Sequence, residues 1–89
     1  MRLEKIYTVE VVHPNTLQLK RFFAFTEKAE ALAEARTWED SIYEVTVSEN
    51  GEAIAVGGVD SDPADALEDA GVQILWRDDW DMEIIRTYT

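Results

Sequence analysis

A chain of 89 residues is the size of one domain, 1–89, and leaves no room for a catalytic domain beside a regulatory one. Nineteen Asp and Glu against eight Lys and Arg set the formal net charge at -11, yet 46% of the residues are apolar, too many for a disordered acidic tail. Cysteine is absent, which excludes a disulfide framework, a thiolate metal site and a thiol nucleophile.

From Leu3 to Val12 the chain alternates, with Ile6, Thr8, Glu10 and Val12 on one side and Tyr7, Val9 and Val11 on the other, and its β-branched and aromatic content predicts a strand. The same stretch carries Glu4 and Glu10 and has no uninterrupted apolar run of signal-peptide type. Pro14-Asn15-Thr16 supplies turn chemistry, and Leu17 to Phe25 forms a second alternating segment expected to pair with the first as a hairpin. At Thr26 the period changes. Ala29, Leu32, Ala33 and Ala35 fall at helical spacing, Thr26 is a suitable N-cap, and the predicted helix covers Glu27 to Thr37 with an alanine-rich face that can lie close to a sheet.

Alternation returns from Ile42 to Val47, and Asn50-Gly51 is the strongest short hairpin signal in the chain, because both central positions of a type I′ turn need positive φ. Glu52 to Val56 is the returning strand, ended by Gly57-Gly58. A second helix is expected from Pro63 to Ala70, capped by Asp62, stopped by Gly71 and anchored by Leu67. Val72 to Trp76 and Met82 to Tyr88 read as two strands around Arg77-Asp78-Asp79-Trp80-Asp81, with Trp76 a core residue of that last hairpin. The order β-β-α-β-β-α-β-β is that of an α+β domain, a mainly antiparallel sheet packed by one main helix with its other face less well covered.

Catalytic chemistry finds little support. His13, the single histidine, stands at a turn, and the serines Ser41, Ser48 and Ser61 have no G-x-S-x-G setting. An EF-hand reading that starts at Asp60 fails, since Ala64 stands where the fifth position needs oxygen and Gly71 where the bidentate glutamate belongs. Asp78, Asp79 and Asp81 read as a solvated acidic turn rather than a cation site. Gly57-Gly58 lacks the pattern of a phosphate loop. No catalytic residue, metal ligand or cofactor is therefore assigned, and the reading is not that of an enzyme. The net charge opposes direct binding to nucleic acid, and Lys20 and Arg21, adjacent on a strand, are expected to point to opposite faces and so form no patch. The longest apolar runs fall far short of the roughly 20 residues that cross a bilayer. A soluble, cytoplasmic protein is expected.

The charge is unevenly distributed. The first 45 residues hold eight acids and six bases, net -2, whereas the rest hold eleven acids with only Arg77 and Arg86, net -9. Glu49 and Glu52 flank the Asn50-Gly51 turn, Asp60 and Asp62 lead into the second helix, Asp65, Glu68 and Asp69 lie on it, and Asp78, Asp79 and Asp81 surround Trp80 in the last turn. Carboxylates grouped in this way steer basic partners, and an indole among them suits an aromatic anchor. The expected partner is a basic protein surface. The alternative is that acidity serves solubility only, in a small homo-oligomeric scaffold that dimerises through Tyr7, Val9 and Val11.

In size, in the hairpin-helix-hairpin order of Leu3 to Gly58, in the absence of cysteine and in its carboxylate-rich second half, the chain resembles the small acidic proteins that phages encode against host defence, the anti-CRISPR proteins and related DNA mimics. That resemblance implies an inhibitor without catalysis that occupies the nucleic-acid groove of a CRISPR-Cas effector, its carboxylates standing in for phosphates. Its nearly balanced first half restricts any mimicry to one side.

Overall fold

The computed structural model describes residues 4–14, 16–59 and 61–77, with their side chains except those of Ser61 and Asp62. In chain order they form β1 (Tyr7–Val12), β2 (Leu19–Phe25), α1 (Lys28–Arg36), β3 (Glu44–Glu49), β4 (Glu52–Val59), α2 (Ser61–Asp69) and β5 (Gln73–Arg77). The class is α+β. The last expected strand, Met82 to Tyr88, lies outside the described residues.

Alternation in β1 decides where the main core sits. Val9 and Val11 lie between Phe23 and Arg21 of β2 on one side and Val47 and Val45 of β3 on the other, and Val47 continues the row to Ala55 of β4. Cross-strand neighbours share a sheet face. That face receives α1, whose Ala31 and Ala35 are fully buried against it. The predicted helix face is thus corrected: Ala29 and Ala33 are exposed, and Ala31 takes their place. Thr26 is also displaced as cap by Glu27, whose side chain makes no capping bond.

Tyr7, Val9 and Val11, expected on an open dimer face, are instead 7%, 0% and 0% exposed beneath α1. A homodimer through them is excluded, because the same residues cannot face a second copy while packed under the helix. Over β1 and β2, the face with no helix against it among the described residues is the one that carries Ile6, Thr8 and Glu10.

The Asn50-Gly51 turn forms as expected, with φ of 49° and 90°. Asn50 does more than turn the chain. Its side-chain Oδ1 accepts from the Ile6 amide at 2.9 Å and its own amide donates to the Ile6 carbonyl at 2.9 Å, which clips the hairpin to the start of β1.

Two departures concern β4 and the segment after it. Gly57 and Gly58 do not end the strand, which runs on to Val59. Gly57 is needed for packing, since a Cβ there would overlap the Trp76 ring. Gly58 adopts φ of 74° where the β4–β5 register shifts. The chain then enters α2 at Ser61, two residues before Pro63, so Asp62 lies inside the first turn instead of capping it. Proline is tolerated there because the first-turn amides have no intrahelical acceptor. Gly71, at φ of 89°, stops the helix as expected.

The helix carries the chain back along β4, so β5 pairs with β4 in parallel. The sheet is therefore mixed, in the order β2-β1-β3-β4-β5, with β5 reached by a crossover and not a hairpin. A second small core forms on the opposite pleat, where Val56, Val59 and Ala64 are buried with Leu67, Val72 and Ile74 against them. Val56 follows Ala55 in the strand and so points away from α1, which places α2 on the other face of the sheet.

Candidate functional site

The two edges of the sheet differ in charge and in surface chemistry. With strands spaced about 4.8 Å apart, β2 and β5 stand roughly 19 Å from one another.

On the β5 side, α2 presents Asp65, Glu68 and Asp69 with no base in its last turn. Arg77 of β5 reaches back to two of them, with Nη1 3.5 Å from Asp65 Oδ1 and Nη2 bonded to Glu68 Oε1. All three side chains are well exposed, so solvent screens these pairs and each contributes well under about 1 kcal/mol. One guanidinium cannot neutralise three carboxylates. Glu68 and Asp69 also sit at the negative end of the helix dipole, where acids are unfavourable. In contrast, α1 is balanced, with Lys28 and Arg36 set against Glu30 and Glu34.

Of the other expected site residues, Glu52 is exposed at the start of β4, beside the turn. Glu49 is turned to structural use: its Oε1 accepts from the Tyr7 hydroxyl at 2.9 Å and lies 3.7 Å from Lys5 Nζ. That hydrogen bond, then burial and the charges of Glu49 and Glu27, raise the Tyr7 hydroxyl above its ordinary value, so it stays a donor. Asp62 lies on α2, whereas Asp60, Asp78, Asp79, Trp80 and Asp81 are outside the described residues. The structure therefore brings Asp65, Glu68 and Asp69 together and gives Glu49 a partner of its own.

No protein-family model matches the chain, and neither the curated proteins nor the solved structures give a match. The reading of function rests on the residues themselves.

The β2 side holds features that the sequence reading missed. Among the described residues, the large apolar side chains that stand exposed are Ile6, Leu17, Leu19 and Phe22, all in β2 or next to it. A bulge opposite Val11 and Val12 inserts Lys20 between the paired residues Leu19 and Arg21. Lys20 Nζ lies 5.9 Å from the centre of the Tyr43 ring, which packs on the α1-side core, and Arg21 pairs with Val11 of that same core. The expectation of opposite faces is corrected, because the extra residue interrupts alternation and puts both cations on the α1 side. A readable signal was available: Val11 to Thr26 runs sixteen residues without an acid.

The described residues contain no group of three or more His, Asp and Glu placed to hold a metal ion, and no helix long and apolar enough to cross a membrane. His13 accepts from the Thr16 amide through Nδ1 at 3.3 Å and meets the Tyr43 ring edge-on, which gives it a role in shaping the β1–β2 loop.

Glu44, opposite Val12 at the start of β3, is half-buried, and burial raises its carboxyl above the ordinary value of 4.5. A raised carboxyl binds its proton more tightly in the folded than in the unfolded state, so its contribution to stability falls as pH rises through the folded value. Glu44→Gln is expected to be more stable than the native chain at neutral pH. Urea unfolding at about pH 3.5, where the carboxyl is protonated in both states, should show that advantage gone.

Proposed function

We propose that this chain is a non-enzymatic binding protein that docks a basic protein surface against its acidic edge, formed by α2 and supplemented by Glu52. The observation that carries this reading is the placement of Glu68 and Asp69 in the last turn of α2, against the helix dipole and with no base in that turn. A surface shaped for solubility alone has no reason to set acids where they weaken their own helix, and α1 of the same molecule is charge-balanced. The finer reading is that the basic partner binds nucleic acid and that carboxylates occupy the positions of phosphates, as in a phage inhibitor of a CRISPR-Cas complex. What supports it is the resemblance in size, layout and charge, together with the grouping of Asp65, Glu68 and Asp69 on α2.

The test uses Asp65→Lys, Glu68→Lys and Asp69→Lys together. Pull-down from a lysate of the source organism at low salt, read by mass spectrometry, should recover a basic protein with the native chain. The variant should lose it while keeping its far-UV circular dichroism, and salt at about 0.5 M should elute it. Equal recovery by the variant would sink the proposal. If the finer reading holds, double-stranded DNA should displace the chain from its partner in competition, and coexistence of the two ligands would restrict the proposal to a plain protein contact. Asp69→Lys alone, which leaves the Arg77 pairs intact, should gain about 0.5 kcal/mol at the helix end.

A further inference from the structure

We infer that the outer edge of β2 is a strand-addition site, which takes an extended segment of a partner protein whose residues alternate between acidic and apolar. This surface lies at the other edge of the sheet from α2 and does not depend on the acidic reading.

Among the described residues, β2 pairs with β1 alone, so its outward backbone amides and carbonyls are available to a further strand. The bulge sits at the Leu19 end, and Arg21 to Phe25 keep a regular register with Val11 to Tyr7. That regular part can therefore continue the ladder. Side chains of an added strand fall alternately on the two faces, and the two faces of β2 differ. On the α1 side stand Lys20 and Arg21, with no carboxylate within salt-bridge distance of either among the described residues. On the open side, Leu19 and Phe22 are 58% and 52% exposed. Beyond the far end of the strand lies a shallow concavity of about 390 Å³ lined by Ile6, Ala24, Phe25, Thr26 and Glu30, with room for one apolar side chain of the incoming segment.

Charge selects the occupant. A second copy joined β2 to β2 would bring two acid-free strands together and offer Lys20 and Arg21 no carboxylate from either, and each copy carries -11 overall. An alternating acidic and apolar segment places its acids beside Lys20 and Arg21 and its apolar side chains beside Leu19 and Phe22. The adjoining loop adds Leu17, 73% exposed and held at φ of 60°. A branched, apolar residue in the left-handed region is strained there, a cost that contact with a partner would justify.

The probes are two synthetic octapeptides of identical composition, Asp-Ile-Glu-Val-Asp-Ile-Glu-Val and the blocked order Asp-Glu-Asp-Glu-Ile-Val-Ile-Val, titrated into the full chain and followed by amide chemical shifts and hydrogen exchange. The alternating peptide should shift and protect the amides of β2 and bind about tenfold more tightly than the blocked one. Lys20→Glu with Arg21→Glu should weaken it by about tenfold, as two exposed charge contacts do. Salt at about 0.5 M, applied to the native chain, reads the same charge dependence without a variant that has to fold. Equal binding of the two peptides, shifts confined to residues outside β2, or no binding at about 1 mM would each overturn the inference. So would a dimer in sedimentation whose formation alone protects the β2 amides.

Discussion

Gly57→Ala is expected to destabilise the protein by about 3 kcal/mol, a large share of the margin of so small a domain. The added methyl would occupy the volume of the Trp76 ring, which is only 8% exposed and packed in the α1-side core. A surface side chain could swing aside at little cost. A buried indole cannot, because interiors are close-packed and a forced rotamer displaces its neighbours in turn. Trp76→Leu in the same chain should therefore recover part of the loss, with a coupling of about 1–2 kcal/mol in a double-mutant cycle measured by urea unfolding. Losses that simply add would show that the two residues do not compete for one space. Trp76→Phe on its own should cost less than its lost area implies. Its Nε1 is buried without an acceptor among the described residues, and removing an orphan donor offsets some of the lost packing.

The second large effect is expected at the contact of helix and sheet. Ala35→Leu should cost about 2–3 kcal/mol, because Ala35 is fully buried where α1 lies on β1, β2 and β3, and three added heavy atoms force the helix off the sheet. The control is Ala33→Leu, two residues away and exposed, which should stay within about 0.5 kcal/mol. Thermal unfolding of the two variants separates them. Similar stabilities would mean that α1 presents a different face to the sheet.

The Ala33 control also shows why that face was hard to read. Alanines occupy 29, 31, 33 and 35, a period of two, which a helix of 3.6 residues per turn splits into two opposed pairs, 29 with 33 and 31 with 35. Nothing in the composition of α1 marks one side as apolar. In β1 the same period of two coincides with the geometry of a strand, and the pairing of Tyr7, Val9 and Val11 on one side was legible at once. Which side the helix would cover was not. That depends on how the chain leaves β2, and with the choice reversed, the expected dimer face became the core.

For the candidate surfaces, the sequence showed the excess of acid after residue 48 and the acid-free stretch before Glu27. It could not show that Arg77 would bridge Asp65 and Glu68, since that contact requires β5 to lie alongside α2. Nor could it show that Lys20 and Arg21 share a side, because a bulge arises from pairing with β1 and leaves no mark in β2 alone.

By itself the sequence determined the local alternatives: extended or helical segments from their periods, the Asn50-Gly51 turn from its need for positive φ, and the stop at Gly71 for the same reason. These follow from backbone sterics and from the spacing of apolar residues over a few positions. Only the tertiary structure decided that β4 continues through its glycines, that β5 runs parallel to it, and that the two helices cover opposite faces. Each of those outcomes depends on side chains distant in the chain meeting in space, as Gly57 meets Trp76, and such a meeting has no counterpart in local periodicity.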